Sequence, residues 1–383
     1  MKYTKEPDPA HPTAEEVLLA AAEDYFDRLA ALSFEEMARR QTGFCSSLAF
    51  GASGIAYAFW HGARLLEGDP ELLEQAERWS RAAVAHRRHR LAFRVPASRI
   101  AERPPGHFLF GLAGAWFVRA LAAAARGDRR TRARALARFA DLARSSRAGS
   151  PELYNGVAGC LAGTAVLFSQ TPDESLRALG DELAADLLGR AVPVEGGGRR
   201  WPELKGEGLA HGGAGPFHAL LLWRSGSGYA LPGWIQPALL RRLEEAARNP
   251  EVVCPAEYRS WLCNGLTGLV CLAAEAFRRL EDPAFLGLSR DLAGPMLAAV
   301  RPEPDLCCGR AGVASACLAL ARVDPGGPWR GHARDLTLST LLAEPGDWFS
   351  AGLYSGEAAV PCLALALVSG VDAGPPVLDL PFG

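Results

Sequence analysis

Gly265-Leu266-Thr267-Gly268 and Gly309-Arg310-Ala311-Gly312 are two copies of one short pattern, glycine, any residue, a small residue, glycine. Upstream the pattern recurs as Gly51-Ala52-Ser53-Gly54, Gly111-Leu112-Ala113-Gly114, Gly156-Val157-Ala158-Gly159 and Gly212-Gly213-Ala214-Gly215. Downstream a weaker copy, Gly356-Glu357-Ala358-Ala359, has alanine for the second glycine. The starts lie between 44 residues (265 to 309) and 60 residues (51 to 111) apart. One such motif carries no information; seven at a quasi-regular interval describe a repeat array with loops of variable length.

Each motif is followed by a helix-like apolar run, such as Ile55-Ala56-Tyr57-Ala58-Phe59-Trp60. In three repeats a second helix is announced by an N-cap residue with proline behind it: Asp69-Pro70, Thr171-Pro172 and Asp282-Pro283. Glu174 completes a predicted capping box with Thr171. The interval from glycine to cap suits a helix of about four turns at 1.5 Å per residue. Each repeat therefore reads as a helical hairpin, and β-type alternation is scarce, so the fold class is all-α. Glycines at the helix entrances let neighbouring backbones approach closely. Seven hairpins build either an open solenoid or a closed toroid, and periodicity alone leaves both open.

The other stretches say less. Thr13-Ala14-Glu15-Glu16 is a capping box that opens a helix running towards Leu32. The arginine-rich segment from Arg126 to Arg147 has apolar residues at helical spacing (Leu136, Phe139, Leu142), which predicts a solvated helix face, with a basic patch for a peptide as the alternative. His86-Arg87-Arg88-His89-Arg90 reads the same way. The segment rich in glycine and proline from Gly370 onward is expected to lie over the surface.

Composition bounds the function. The chain has 383 residues, 49% of them apolar, and a net charge of −2, so it has ample core and no global attraction to nucleic acid or anionic membrane. No apolar run approaches the roughly 18 residues that span a bilayer. Residues 1–9 hold no apolar segment that would serve as a signal peptide, and a cytoplasmic location is the expectation. We read 1–383 as one domain.

Nine cysteines, an odd number, are irregularly placed, which argues against a disulfide framework. Cys45, Cys160, Cys254, Cys271, Cys317 and Cys362 sit among apolar or small residues and read as core thiols. The remaining three are different. Two repeat starts read Arg259-Ser260-Trp261-Leu262-Cys263-Asn264-Gly265 and Leu306-Cys307-Cys308-Gly309. They place thiols one or two residues before the repeat glycine, at similar positions in successive repeats. Three thiolates on two loops, with a fourth position open, is the donor set of a catalytic zinc site. Spacing alone leaves coincidental core cysteines as the alternative.

The repeated Gly-x-small-Gly starts, with cysteine before the fifth and a cysteine pair before the sixth, resemble the lanthionine synthetase C-like family, the lanthipeptide cyclases. The resemblance runs from Phe44 to about Leu367. It implies an (α/α)7 toroid, a double ring of seven inner and seven outer helices with zinc at one end. It implies the addition of cysteine thiols to dehydroalanine or dehydrobutyrine in a dehydrated precursor peptide, giving lanthionine or methyllanthionine. The family's Trp-Cys-x-Gly-like and Cys-His-Gly motifs match Trp261 to Gly265, with one extra residue, and Cys307-Cys308-Gly309. Cys308 stands where the family usually has histidine, as in a subset of cyclases that includes some fused to dehydratase domains. The ligands implied are therefore Cys263, Cys307 and Cys308. His211 matches the family's cavity histidine, a proposed acid/base, and Arg259 its cavity arginine. Glu152 stands where the family tends to have aspartate. A dehydratase or an exporter is the further partner implied. Three other readings remain: a thiol-activating prenyltransferase-type toroid, a non-catalytic peptide-binding scaffold, and glutathione addition to dehydrated proteins.

Overall fold

The structure, a computed structural model, describes residues 12–40, 43–93, 106–194, 198–342, 351–354, 356 and 358–379. The readings that fall on residues 1–9, on Glu357 and on residues 380–383 lie outside these. Among the described residues the only β structure is a two-stranded hairpin pairing Val192–Val194 with Gly198–Arg200 and one isolated bridge.

Seven helices begin at the repeat motifs: Ala52–Leu65, Leu112–Ala125, Val157–Gln170, Ala214–Ser227, Leu266–Leu280, Arg310–Val323 and Ala359–Val368. They are buried nearly all round; in Ala52–Leu65 every residue except Arg64 is buried. A helix apolar on all faces needs neighbours on all faces, and these form the inner ring. An amphipathic outer helix follows each of the first six: Pro70–Ala85, Arg129–Ser145, Glu174–Arg190, Ile235–Arg248, Pro283–Leu297 and Trp329–Leu341. Five pack on the inner helix before them, and Ile235–Arg248 packs instead on Pro283–Leu297 and Leu266–Leu280. The seventh outer place is taken from the other end of the chain by Ala14–Ala31, which packs on Ala359–Val368. The last inner helix also packs on the first, Ala52–Leu65, so the array closes. The architecture is an α/α toroid.

A ring of backbone hydrogen bonds seals one end. The residue two places before each repeat glycine donates its N–H to the carbonyl of its counterpart in the next repeat. The order is Ala49 to Leu109, to Tyr154, to Ala210, to Cys263, to Cys307, to Tyr354 and back to Ala49, with N···O distances from 2.7 to 3.4 Å. One place further back stand Leu48, Phe108, Leu153, Leu209, Leu262, Leu306 and Leu353, each at most 1% exposed. The second glycine of a repeat accommodates this row. A Cβ on Gly268 would lie 2.3 Å from the Leu262 carbonyl oxygen and 2.6 Å from Leu209 Cβ in the preceding repeat.

The capping boxes meet mixed outcomes. Thr13 and Glu16 cap each other's backbone as expected, and Asp69 and Asp282 cap the helices that start with Pro70 and Pro283. The helix expected from Thr171 starts later. Its N-cap is Asp173, whose carboxylate accepts from the Ser175 and Leu176 N–H groups, and Glu174 is the first helical residue. An aspartate two residues on outcompetes the threonine as a cap.

The arginine-rich helix Arg129–Ser145 buries only Ala135, Phe139 and Ala143. Arg144 and Arg147 pair with Glu182, and Arg147 also with Asp186, on the next outer helix, so the segment is a solvated face. His86, stacked on Phe34, joins His89 and Arg90 in a surface groove with Glu35 and Arg39.

The C-terminal segment corrects an expectation. Gly370 is exposed as expected, but from Gly374 the described residues turn inward: Val377 and Leu378 are at most 2% exposed, inside the ring. The Val377 N–H donates to Tyr57 Oη (2.9 Å), and the Pro376 carbonyl accepts from Tyr354 Oη (2.8 Å). The Leu378 carbonyl accepts from His218 Nε2 (2.6 Å). Asp379 reaches Arg322 (2.8 Å) and Arg278 (3.6 Å), and against the cost of burial these guanidinium groups hold its carboxyl below the usual range. Val377 has φ +69°, rare for a β-branched residue. Four inner helices grip this turn. Glycine and proline, which in isolation signal a surface tail, here allow a tight turn in a narrow core.

Candidate metal centre

The hydrogen-bond ring places Cys263 and Cys307 at equivalent stations of adjacent repeats, with Cys308 one residue on. Successive loops are joined there: the Leu262 N–H donates to the Cys307 carbonyl (2.8 Å) and the Ala210 N–H to the Cys263 carbonyl (2.7 Å). The three Sγ atoms all lie within 4.8 Å of one another. Sulfurs at about 2.3 Å from one tetrahedral ion would be about 3.8 Å apart, so small side-chain rotations suffice. The donor set fits zinc: three soft thiolates, no disulfide, and two of the three partly exposed. The other six cysteines are buried and unpaired. Burial pushes Cys45 and Cys254 up to about 11, and Cys160 and Cys317 up to about 12, as inert core thiols.

As thiols alone the three titrate as a unit. Hydrogen bonds from Cys307 and Cys308 stabilise a thiolate on Cys263 and pull it down to about 5. Donating to Cys263 drives Cys308 up to about 12 and Cys307 well above its ordinary value. One negative charge is shared among three sulfurs.

Around them stand further groups. Glu152 Oε2 lies 3.0 Å from His211 Nδ1, and its other oxygen accepts from Asn155 Nδ2. A carboxylate facing Nδ1 selects the tautomer with the proton there, leaving Nε2 for other work. His211 keeps 40% of its side chain exposed. Arg259 is tied differently: its carbonyl accepts from the Leu266 N–H (2.8 Å), and its guanidinium pairs with Glu251 (3.0 Å). Among the described residues it makes no hydrogen bond or ion pair with the sulfurs or with His211.

Three neighbours escaped the sequence reading. Asp305 accepts from the Cys308 N–H (2.7 Å), and burial pushes its carboxyl up to about 6. Arg301 lies 5.8 Å over the Trp261 ring and lowers the cost of charge on Cys308. Tyr154 Oη lies 4.0 Å from Cys307 Sγ, in a phenol that burial and then the Cys307 charge hold firmly protonated. Aligning the seven starts by glycine would have exposed Tyr154, which shares the register of Cys263 and Cys307.

The family model described as lanthionine synthetase C-like protein matches residues 46–326. The chain belongs to this family. Among solved structures it is similar to one titled nisin cyclase, with a TM-score of 0.64 and 13% identity, covering 94% of this chain and 96% of that one. At that identity the likeness speaks for the toroid and not for the chemistry. A search of curated proteins finds no match. No described helix is long and apolar enough to cross a membrane.

Proposed function

We propose that this lanthionine synthetase C-like chain is a zinc-dependent cyclase that closes thioether rings in a dehydrated precursor peptide. One observation carries the reading: three cysteine sulfurs from two separate repeats converge at one end of the ring, in the same loop layer as a Glu152–His211 pair. Family membership and the neighbour titled nisin cyclase support it. The proposed setting is the cytoplasm, where these thiols stay reduced. A dehydratase would supply the dehydro residues and an exporter would take the product. The unit is taken as 1–383.

Cys263, Cys307 and Cys308 would hold the ion. When bound, zinc supplies the Lewis acidity that keeps a substrate thiol in its thiolate form near neutral pH. The substrate thiolate adds to the β-carbon of dehydroalanine or dehydrobutyrine, and the alkene electron pair passes to the α-carbon and its carbonyl as an enolate. His211 is assigned as the acid that protonates the α-carbon from Nε2. Glu152 holds Nδ1–H and fixes the ring plane, so that Nε2 can take the proton the substrate thiol gives up and pass it to the α-carbon. Arg259 is assigned to developing negative charge, which requires the exchange of its exposed partner Glu251 for substrate.

The test is incubation of zinc-loaded protein with a dehydrated, cysteine-containing peptide. Ring closure consumes a titratable thiol with no change in peptide mass. Thiols untouched at full zinc occupancy would leave the non-catalytic scaffold reading in possession; mass gain only when glutathione is added would point to intermolecular transfer.

A further inference from the structure

Tyr154 occupies, in the third repeat, the station that Cys263 and Cys307 occupy in the fifth and sixth. Its ring is fixed on three sides by edge-on or tilted aromatic contacts: His211 at 5.3 Å, Tyr354 at 5.3 Å and Phe110 at 6.0 Å between centroids. Tyr354 is itself anchored, since its hydroxyl donates to the Pro376 carbonyl of the inserted turn. The Tyr154 phenol is 1% exposed, and its one hydroxyl partner among the described residues is the Cys307 sulfur at 4.0 Å.

We infer that Tyr154 is a positioning residue of the metal centre, its hydroxyl donating a hydrogen bond to the Cys307 sulfur. This rests on the zinc reading above. A phenol keeps its proton at physiological pH, so towards a thiolate it acts as a donor. Three anionic sulfurs leave a divalent ion with net negative charge, which weakens its pull on a fourth sulfur. They also present nucleophiles of the enzyme's own beside an electrophilic alkene. Donation to Cys307 draws electron density from that thiolate, offsetting both effects. Where other sites orient an imidazole ligand through its second nitrogen, a thiolate has no second handle, and a hydroxyl aimed at sulfur supplies one. The aromatic clamp fixes where that hydroxyl points.

The experiment compares full-length wild-type and Tyr154→Phe protein loaded with Co2+, whose sulfur-to-cobalt absorption reports thiolate electron density with no turnover. The expected result is a band in both proteins, moved to longer wavelength in the variant, with metal affinity lowered about 10-fold as is usual for lost outer-sphere partners. A band at the same wavelength in both overturns the inference and leaves the metal centre standing. No sulfur-to-cobalt band in the wild type overturns the metal reading and this inference with it. Should the variant fail to fold, the wild type answers alone. Zn2+ loading converts the acceptor to thiolate and must perturb the near-ultraviolet absorption of a tyrosine; an unperturbed spectrum overturns the inference.

Discussion

Glu152 and His211, 59 residues apart in sequence, meet in adjacent loops with a carboxylate oxygen 3.0 Å from Nδ1. The pair stands next to the sulfur cluster through Tyr154, which touches His211 on one side and Cys307 on the other. If His211 delivers the proton, its replacement by asparagine slows ring closure by about 10²–10⁴-fold, the ordinary worth of a general acid. Zinc content stays unchanged. Glu152→Gln keeps the length of the side chain but removes the anion, and slows the same step by less. Timed thiol consumption and metal analysis on one preparation check both, and wild-type turnover in His211→Asn defeats the acid assignment.

The ligand assignment makes a sharper contrast. Cys263→Ala and Cys307→Ala lose zinc and cyclisation together. Cys317→Ala, which empties a fully buried position of the inner helix Arg310–Val323, keeps both and loses only modest stability. Stoichiometric zinc in either ligand variant refutes the centre.

Zinc uptake should release protons, because ligands bind as thiolates. The three sulfurs titrate together and share one negative charge near neutral pH, held by the hydrogen bonds among them. About two protons leave per zinc near pH 7, and affinity rises with pH. Calorimetry in buffers of different ionisation enthalpy counts them. Release of none or of three means the charge is not shared as described.

Asp379 links the inserted turn to acid stability. Its folded pKa is depressed by Arg322 and Arg278, so its contribution is fully present above the ordinary carboxylate value of 3.8 and is lost as pH falls through the lower folded value. Asp379→Asn leaves Arg278 and Arg322 to share Glu275 with Arg279, and costs about 3 kcal/mol, the low end for breaking a buried pair. It also flattens the acid limb of the stability curve below pH 4. Urea unfolding across pH reads both effects, and an unchanged acid limb excludes Asp379 as its source.

Much of this was legible in the sequence for a physical reason: a repeat prints the same steric demand seven times. The glycines of each start, the apolar runs and the aspartates before Pro70 and Pro283 were each enough to place a helix. Cys263 and Cys307 share one register and Cys308 follows at once, so the three proposed ligands could be picked out together. What stayed hidden depends on partners distant in sequence. Nothing in a period says whether the seventh helix meets the first; that depends on Ala14–Ala31 filling the last outer place. The turn at Pro376-Val377 looked like a surface tail because its partners, Tyr57, His218 and Arg322, are spread over three repeats. Thr171 lost its cap to Asp173 by local competition between two good caps, which propensity does not rank finely. Arg259 matches the family's cavity arginine by position, but its observed partner Glu251, in the one-turn helix Pro250–Val253, is an ion pair that no spacing in the sequence announces.

A closed ring has no free edge from which to grow, and that bears on how the chain matures. The N-terminal helix can meet the first repeat early, through Phe26 on Phe59 and the Ala30 carbonyl on Arg78, but its main partner Ala359–Val368 emerges more than three hundred residues later. Cys307 meanwhile lacks the Tyr354 carbonyl that fixes its amide. Such non-local closure is slow to form. On the zinc reading, metal capture would then be a final act of assembly, and a nascent chain halted short of Tyr354 would carry all three proposed ligands yet bind zinc poorly.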